Sequence, residues 1–170
     1  VSNAPRIVEI DFQGNVVWSY DIPLSLVNST AGDGYDVKWL PNDHFLFVLP
    51  HSGVFEVDRE KKIVWSYRTG NITHLAQRLP NGNTMIGFGD DNASDAQAYE
   101  ISPNGKIVWE WHAWDHLIQD SDRTKPNYGD PAQHPERIYV NCNGRATAAF
   151  WNHMNSLNYN AKLDQIVLDR

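Results

Sequence analysis

The chain has 170 residues with a formal net charge of −7, 12% aromatic residues and a mean hydropathy of −0.52. That composition describes a folded protein with a polar surface and argues against disorder. The acidic balance argues against a nucleic-acid or anionic-membrane surface, and no apolar run approaches the roughly 20 residues a membrane helix needs.

Cys142 is the only cysteine, so disulfide frameworks and thiolate zinc sites are excluded. Sequons occur at Asn28, Asn71 and Asn92. The opening VSNAPRIVEI carries no basic and apolar leader pattern, a pattern that a mature secreted chain would also lack.

In chain order, IVEIDFQGNVVWSYDIP from Ile7 predicts two strands joined by a polar turn. YDVKWLPNDHFLFVLP from Tyr35 predicts two more, joined at a Leu-Pro-Asn turn. VFEVDREKKIVWSYRTG from Val54 repeats the first pattern. HLAQRLPNGNTMIGFG from His74 repeats the second, and AYEISPNGKIVWEWHAW from Ala98 repeats the first again. The predicted strands of this last full unit are 73–79, 83–89, 97–102 and 105–111. Trp18, Trp65 and Trp109 mark the repeat, 47 and 44 residues apart.

Residues 112–152 break the pattern. The segment is rich in Asp, Pro and Asn, its WDHLIQDSD portion reads as a short helix, and a loop of that length suits a lid or binding loop. HMNSLNYNAKLDQIVL from His153 then gives a closing hairpin on the Leu-Pro-Asn template, without the proline.

Four antiparallel strands in about 40–50 residues make one blade of a β-propeller. The expected fold is therefore all-β, a single partial propeller domain over residues 1–170, with three blades' worth of strands and an insertion at 112–152. Outer strands come from the N-terminal hairpin and inner strands from the C-terminal one. Propellers close with four to eight blades. The chain is thus either an excerpt of a longer protein or one of two copies that complete a ring as a homodimer. The tryptophans are expected to pack between blades.

The innermost strand of each blade lines a propeller's channel. Aligning those strands puts Tyr35, His74 and His153 at one position and Val37, Ala76 and Asn155 two residues on, on the same side. His74, His153, Asn155 and Tyr35 are therefore expected at one channel mouth. Neutral imidazoles there can act as nucleophile, acid or base, and Asn155 can hold an oxyanion. Arg170, ending the second strand of the closing hairpin, would supply positive charge for an anionic substrate. His116 is a candidate lining residue of the lid. With two channel histidines and no aligned carboxylate, a metal site has little support. His44 and His51 read as surface residues flanking an outer strand.

The HLAQRLPNGNTMI unit, the WDHLIQDSDRTKPNYGD…HPERI insertion and the WNHMNSLNYNAKLDQIVL hairpin, in that order, resemble the bacterial aryl-sulfate sulfotransferases. The resemblance runs from about Tyr35 onward. It implies a six-bladed propeller, usually exported to the periplasm, that moves a sulfuryl group from a phenolic sulfate ester to another phenol through a sulfated histidine, without a cofactor. It matches His74 to the motif's first histidine, His153 and Asn155 to its H-x-N pair, and Arg170 to an arginine after the next strand. The chain departs from the family pattern in three ways. Asp169-Arg170 follows Leu168 one residue short of the expected spacing, Leu75 stands where the motif usually carries aspartate, and no segment matches the blade bearing the nucleophile.

Overall fold

The computed structural model describes residues 5–28, 36–70, 72, 74–87, 98–125, 127–140, 154 and 156–169. The strands, in chain order, are β1 (Arg6–Ile10), β2 (Val16–Asp21), β3 (Val37–Trp39), β4 (Phe45–Leu49), β5 (Gly53–Val57), β6 (Ile63–Arg68), β7 (Leu75–Arg78), β8 (Thr84–Gly87), β9 (Ala98–Ile101), β10 (Ile107–Trp111), β11 (Leu117–Ile118), β12 (Ile138–Tyr139), β13 (Ser156–Asn160) and β14 (Gln165–Asp169). A one-turn helix, α1 (Ala113–His116), precedes β11.

The strands form small antiparallel sheets in chain order: the pair β1-β2, the four-stranded β3-β4-β5-β6, the four-stranded β7-β8-β9-β10, and the pair β13-β14. Each predicted strand of the 73–111 unit is present, within the predicted bounds. The two central strands β4 and β5, FLFVL and GVFEV, are buried along their whole length and covered on both faces, and β5 buries Glu56 among its apolar residues.

Three apolar clusters join successive sheets. Ile7 and Tyr20 of the first hairpin pack against Phe45, Phe47 and Phe55, with Trp18 at the margin. Leu46, Val48 and Val54 on the opposite face pack against Ala76, Ile86 and Ile101, with Trp65 at the margin. Leu79, Met85 and Ala98 pack against Met154 and Leu157 of the closing hairpin. Burial of side chains of this size stabilises by about 1.5–3 kcal/mol each, so the clusters bind each sheet to its neighbour in sequence.

The turns repeat as faithfully as the strands. Turns 11–15, 58–62 and 102–106 each close with a main-chain N–H of the fourth residue donating to the carbonyl of the first. Gly14, Lys61 and Gly105 occupy that fourth position with φ of 86°, 68° and 81°. The N–H of each first residue also donates to the carbonyl of the fifth, which makes a type I turn with a bulge at the left-handed residue. A second bulge follows in the adjoining strand, where Val17, Val64 and Val108 are the extra residues. Gly53 has a different reason to be glycine. Its φ is 138°, and a Cβ there would stand 2.3 Å from the Tyr67 carbonyl oxygen on β6.

The segment after β10 is more ordered than its sequence suggests. α1 leads into β11, which pairs in parallel with β12, and Gln119 bridges to Tyr128 beyond it. Buried Gln119 holds the loop: its Oε1 accepts the N–H groups of Ser121 and Asp122 at 2.9 and 2.7 Å, and its Nε2 donates to the Asp122 carbonyl at 2.7 Å. No helix among the described residues is long and apolar enough to cross a membrane.

Candidate functional site

His74 sits immediately before β7, between fully buried Ile72 and buried Ala76, and is itself partly buried. The head of β13 lies beside it. Gly87, which pairs with Leu75 across β7 and β8, is so close to Met154 that a Cβ on Gly87 would stand 3.1 Å from the methionine sulfur and 3.1 Å from a Leu75 methyl. Further along, the Tyr159 N–H donates to Gln77 Oε1 at 2.9 Å, tying β13 to β7. The first strands of two successive sheets, β7 and β13, therefore lie side by side. Tyr35, His153, Asn155 and Arg170 lie outside the described residues.

His116, expected in the lid, is exposed at the end of α1. Its ring stacks on Trp111 with centroids 5.1 Å apart and planes 5° from parallel. Among the described residues no three His, Cys, Asp or Glu side chains are grouped to hold a metal ion.

His44 is not the bland surface residue that the sequence suggests. It precedes β4, is partly buried, and its Nδ1 lies 2.7 Å from Oε1 of Glu56, a carboxylate only 7% exposed. Asn42 Nδ2 donates to the same oxygen at 3.1 Å, and Arg78 Nη2 donates to Oε2 at 2.5 Å from the next sheet. The signal available in the sequence was the recurrence of glutamate at one repeat position: Glu9, Glu56 and Glu100 each lie opposite the marker tryptophan of their hairpin. Glu9 pairs with Arg59, again a cation of the following sheet.

Arg59 gathers a second charged cluster. Its Nη2 and Nε donate to Asp43 at 2.7 and 2.9 Å, and its guanidinium lies 5.0 Å from the Phe45 ring centroid and 5.7 Å from that of Trp18. The Arg59 hydrogen bonds, with a further one from the Trp39 indole, hold the Asp43 carboxyl below its ordinary range. The same hydrogen bonds to Asp43, then Glu9, raise the Arg59 pKa further above neutrality.

A cleft of about 450 Å³ opens between the sheet β7–β10 and the closing hairpin, lined by Leu79, Met85, Glu100, Trp109, Tyr159 and Ile166 among others. Tyr159 donates to Asp164 at 2.7 Å, and this hydrogen bond to a carboxylate, followed by burial, pushes the phenol's pKa up.

Successive antiparallel sheets that repeat strand for strand and turn for turn define an all-β repeat protein. The chain matches the arylsulfotransferase (ASST) family over residues 2–169 and belongs to that family. Among solved structures it is similar to a protein of unknown function from Bacteroides caccae, with 19% identity and a TM-score of 0.41, covering 61% of this chain and 37% of that one. The chain thus aligns with well under half the length of that structure. No curated protein matches it significantly.

Proposed function

We propose that this chain forms part of an arylsulfotransferase in which the sheets are blades of a β-propeller and the heads of the innermost strands bear the chemistry. Membership of the family across residues 2–169 carries this reading, and the neighbouring heads of β7 and β13 support it. The donor is a phenolic sulfate ester and the acceptor a second phenol. A histidine nitrogen attacks sulfur, the S–O bond to the aryl group breaks, and the departing oxygen takes up a proton. The acceptor phenol then loses its proton, its oxygen attacks sulfur, and the S–N bond breaks.

In this scheme His74, His153, Asn155 and Arg170 surround the sulfuryl oxygens and handle the phenolic proton, while Tyr35 and His116 line the path of the aromatic ring. Negative charge builds on peripheral and leaving oxygens, so positioning and cationic hydrogen bonding suffice. The sulfated histidine belongs to a blade with no counterpart in this sequence, and these residues supply the remainder of the site. As in the family generally, the protein would act in the periplasm or outside the cell. The test is to incubate the complete protein with a chromogenic aryl sulfate and a phenol. Sulfated acceptor formed together with released chromophore supports the reading, and no transfer above background defeats it.

A second reading is a non-catalytic propeller that binds a ligand or serves in assembly. One observation favours it: Leu75, where the motif carries aspartate, packs against Gly87 and offers no charge. On that reading His153→Ala alters ligand affinity, and no turnover accompanies binding.

A further inference from the structure

Two small residues stand where the repeat elsewhere carries valines. Val37 and Ala76 hold equivalent places on β3 and β7, and they pair with Phe47 of β4 and Ile86 of β8. One residue on, β8 carries Gly87 where β4 carries Val48. Across the next pair of strands, Gly87 faces Ala98 of β9 where Val48 faces Val54 of β5. Val48, Val54, Gly87 and Ala98 are all buried. A valine pair in one sheet is therefore a hollow in the next.

Met154 fills that hollow. It is buried and packs with Met85, Ala98 and Leu157, with Leu75 at the margin. A Cβ on Gly87 would stand 3.1 Å from the Met154 sulfur and 3.1 Å from a Leu75 methyl, tighter than ordinary van der Waals contact. An unbranched thioether adapts to such a gap better than a branched side chain does. Both residues that crowd Gly87 adjoin candidate site residues in the chain. Leu75 follows His74, and Met154 separates His153 from Asn155 in the sequence.

We propose that Gly87 is a positioning residue: the room it leaves for Leu75 and Met154 sets how closely the segment bearing His153 and Asn155 approaches His74. The inference rests on the site proposed above and adds to it a residue that touches no substrate. A sulfuryl group is small, and donors on both segments must stand within hydrogen-bond distance of its oxygens, so their separation has little latitude. A misplacement of about 1 Å costs on the order of 10²-fold in rate. Any side chain at position 87 drives the two segments apart. Alanine requires its neighbours to give by a few tenths of an ångström. Valine, the residue at the equivalent place on β4, requires more.

The test is the kinetics of the complete protein with para-nitrophenyl sulfate and a phenol. Gly87→Val is expected to lower kcat about 10²-fold with little change in KM, and Gly87→Ala, which serves should the valine variant not fold, about 5- to 10-fold. Adding Met154→Ala to either variant returns the summed side-chain volume toward that of the wild type and restores most of the lost kcat. A purely structural role predicts the reverse, because Met154→Ala by itself opens a cavity and deepens the loss. Variants at position 87 that turn over like the wild type, or double variants no faster than the single ones, overturn the proposal. Calorimetric titration with para-nitrophenyl sulfate reads the same site without turnover. A wild type that binds the ester but transfers nothing removes the activity. The positioning role then stands if the Gly87 variant weakens binding and Met154→Ala restores it, and falls if binding is unchanged. A wild type that neither transfers nor binds overturns both.

Discussion

Arg78 reaches out of β7 to Glu56 of the neighbouring sheet, with Nη2 2.5 Å from Oε2, while its guanidinium lies 4.7 Å from the Trp65 ring centroid. The bond crosses the same boundary as the apolar cluster around Leu46 and Ile86, so charge and burial fasten the two sheets together. Glu56→Ala removes the acceptor for Arg78, Asn42 and His44 together and leaves a largely buried cation unpaired. It is expected to destabilise the protein by about 3 kcal/mol, the low end for breaking a buried pair because Arg78 keeps some access to water. Glu56→Gln, which retains one accepting oxygen, falls between. Urea denaturation of the two variants checks the order.

Lys61 occupies the left-handed position that Gly14 and Gly105 hold in the equivalent turns. A side chain with a Cβ is disfavoured there by roughly 1–2 kcal/mol, against about 0.5–1 kcal/mol of extra chain entropy for glycine. Lys61→Gly is therefore expected to raise stability by about 0.5–1 kcal/mol, read as a higher melting temperature. Ala in place of Gly53 does the opposite, since its Cβ would collide with the Tyr67 carbonyl oxygen.

The Asp43 carboxyl, held low by Arg59 and Trp39, makes one surface cluster acid-sensitive. A carboxyl with a depressed folded-state pKa contributes stability above its unfolded value, here 3.8, and loses that contribution as pH falls through the folded value. Asp43→Asn is expected to melt lower than the wild type at neutral pH. The two melting curves should draw together as the pH drops below 3.8, and a gap that persists in acid would place the cause elsewhere.

If sulfuryl transfer is the reaction, His74→Ala and His153→Ala each lower kcat/KM by about 10²-fold, the scale of losing one donor to a developing oxyanion. Their circular dichroism spectra should match the wild type. Replacing His116, exposed and stacked on Trp111 at the end of α1, is expected to move KM for bulky phenols more than kcat.

The strand order was readable because its determinants are local. Two-residue alternation, Leu-Pro-Asn and Asn-Gly turns, and the recurring tryptophan each act within one hairpin. What joins the sheets was hidden. Trp18 and Trp65 bond to main-chain carbonyls 41 and 38 residues away, and a carbonyl acceptor leaves no mark in a side-chain pattern. His44 read as a surface residue because its partner Glu56 lies on another strand, 12 residues on. The order of the 112–140 segment escaped notice for a similar reason: one buried glutamine, Gln119, organises the loop without any periodicity. Of the channel residues inferred from the repeat, His74 lies among the described residues, and its placement at the head of β7 follows from the alternation that ends in buried Ala76.

Because each sheet is clamped chiefly to the one before and after it along the chain, opening can pass from one unit to the next in steps. Amide exchange should therefore be graded, slowest in β4 and β5, whose residues are buried throughout, and faster in the exposed β10. Damage to one hairpin would then be felt by its immediate neighbours and fade beyond them.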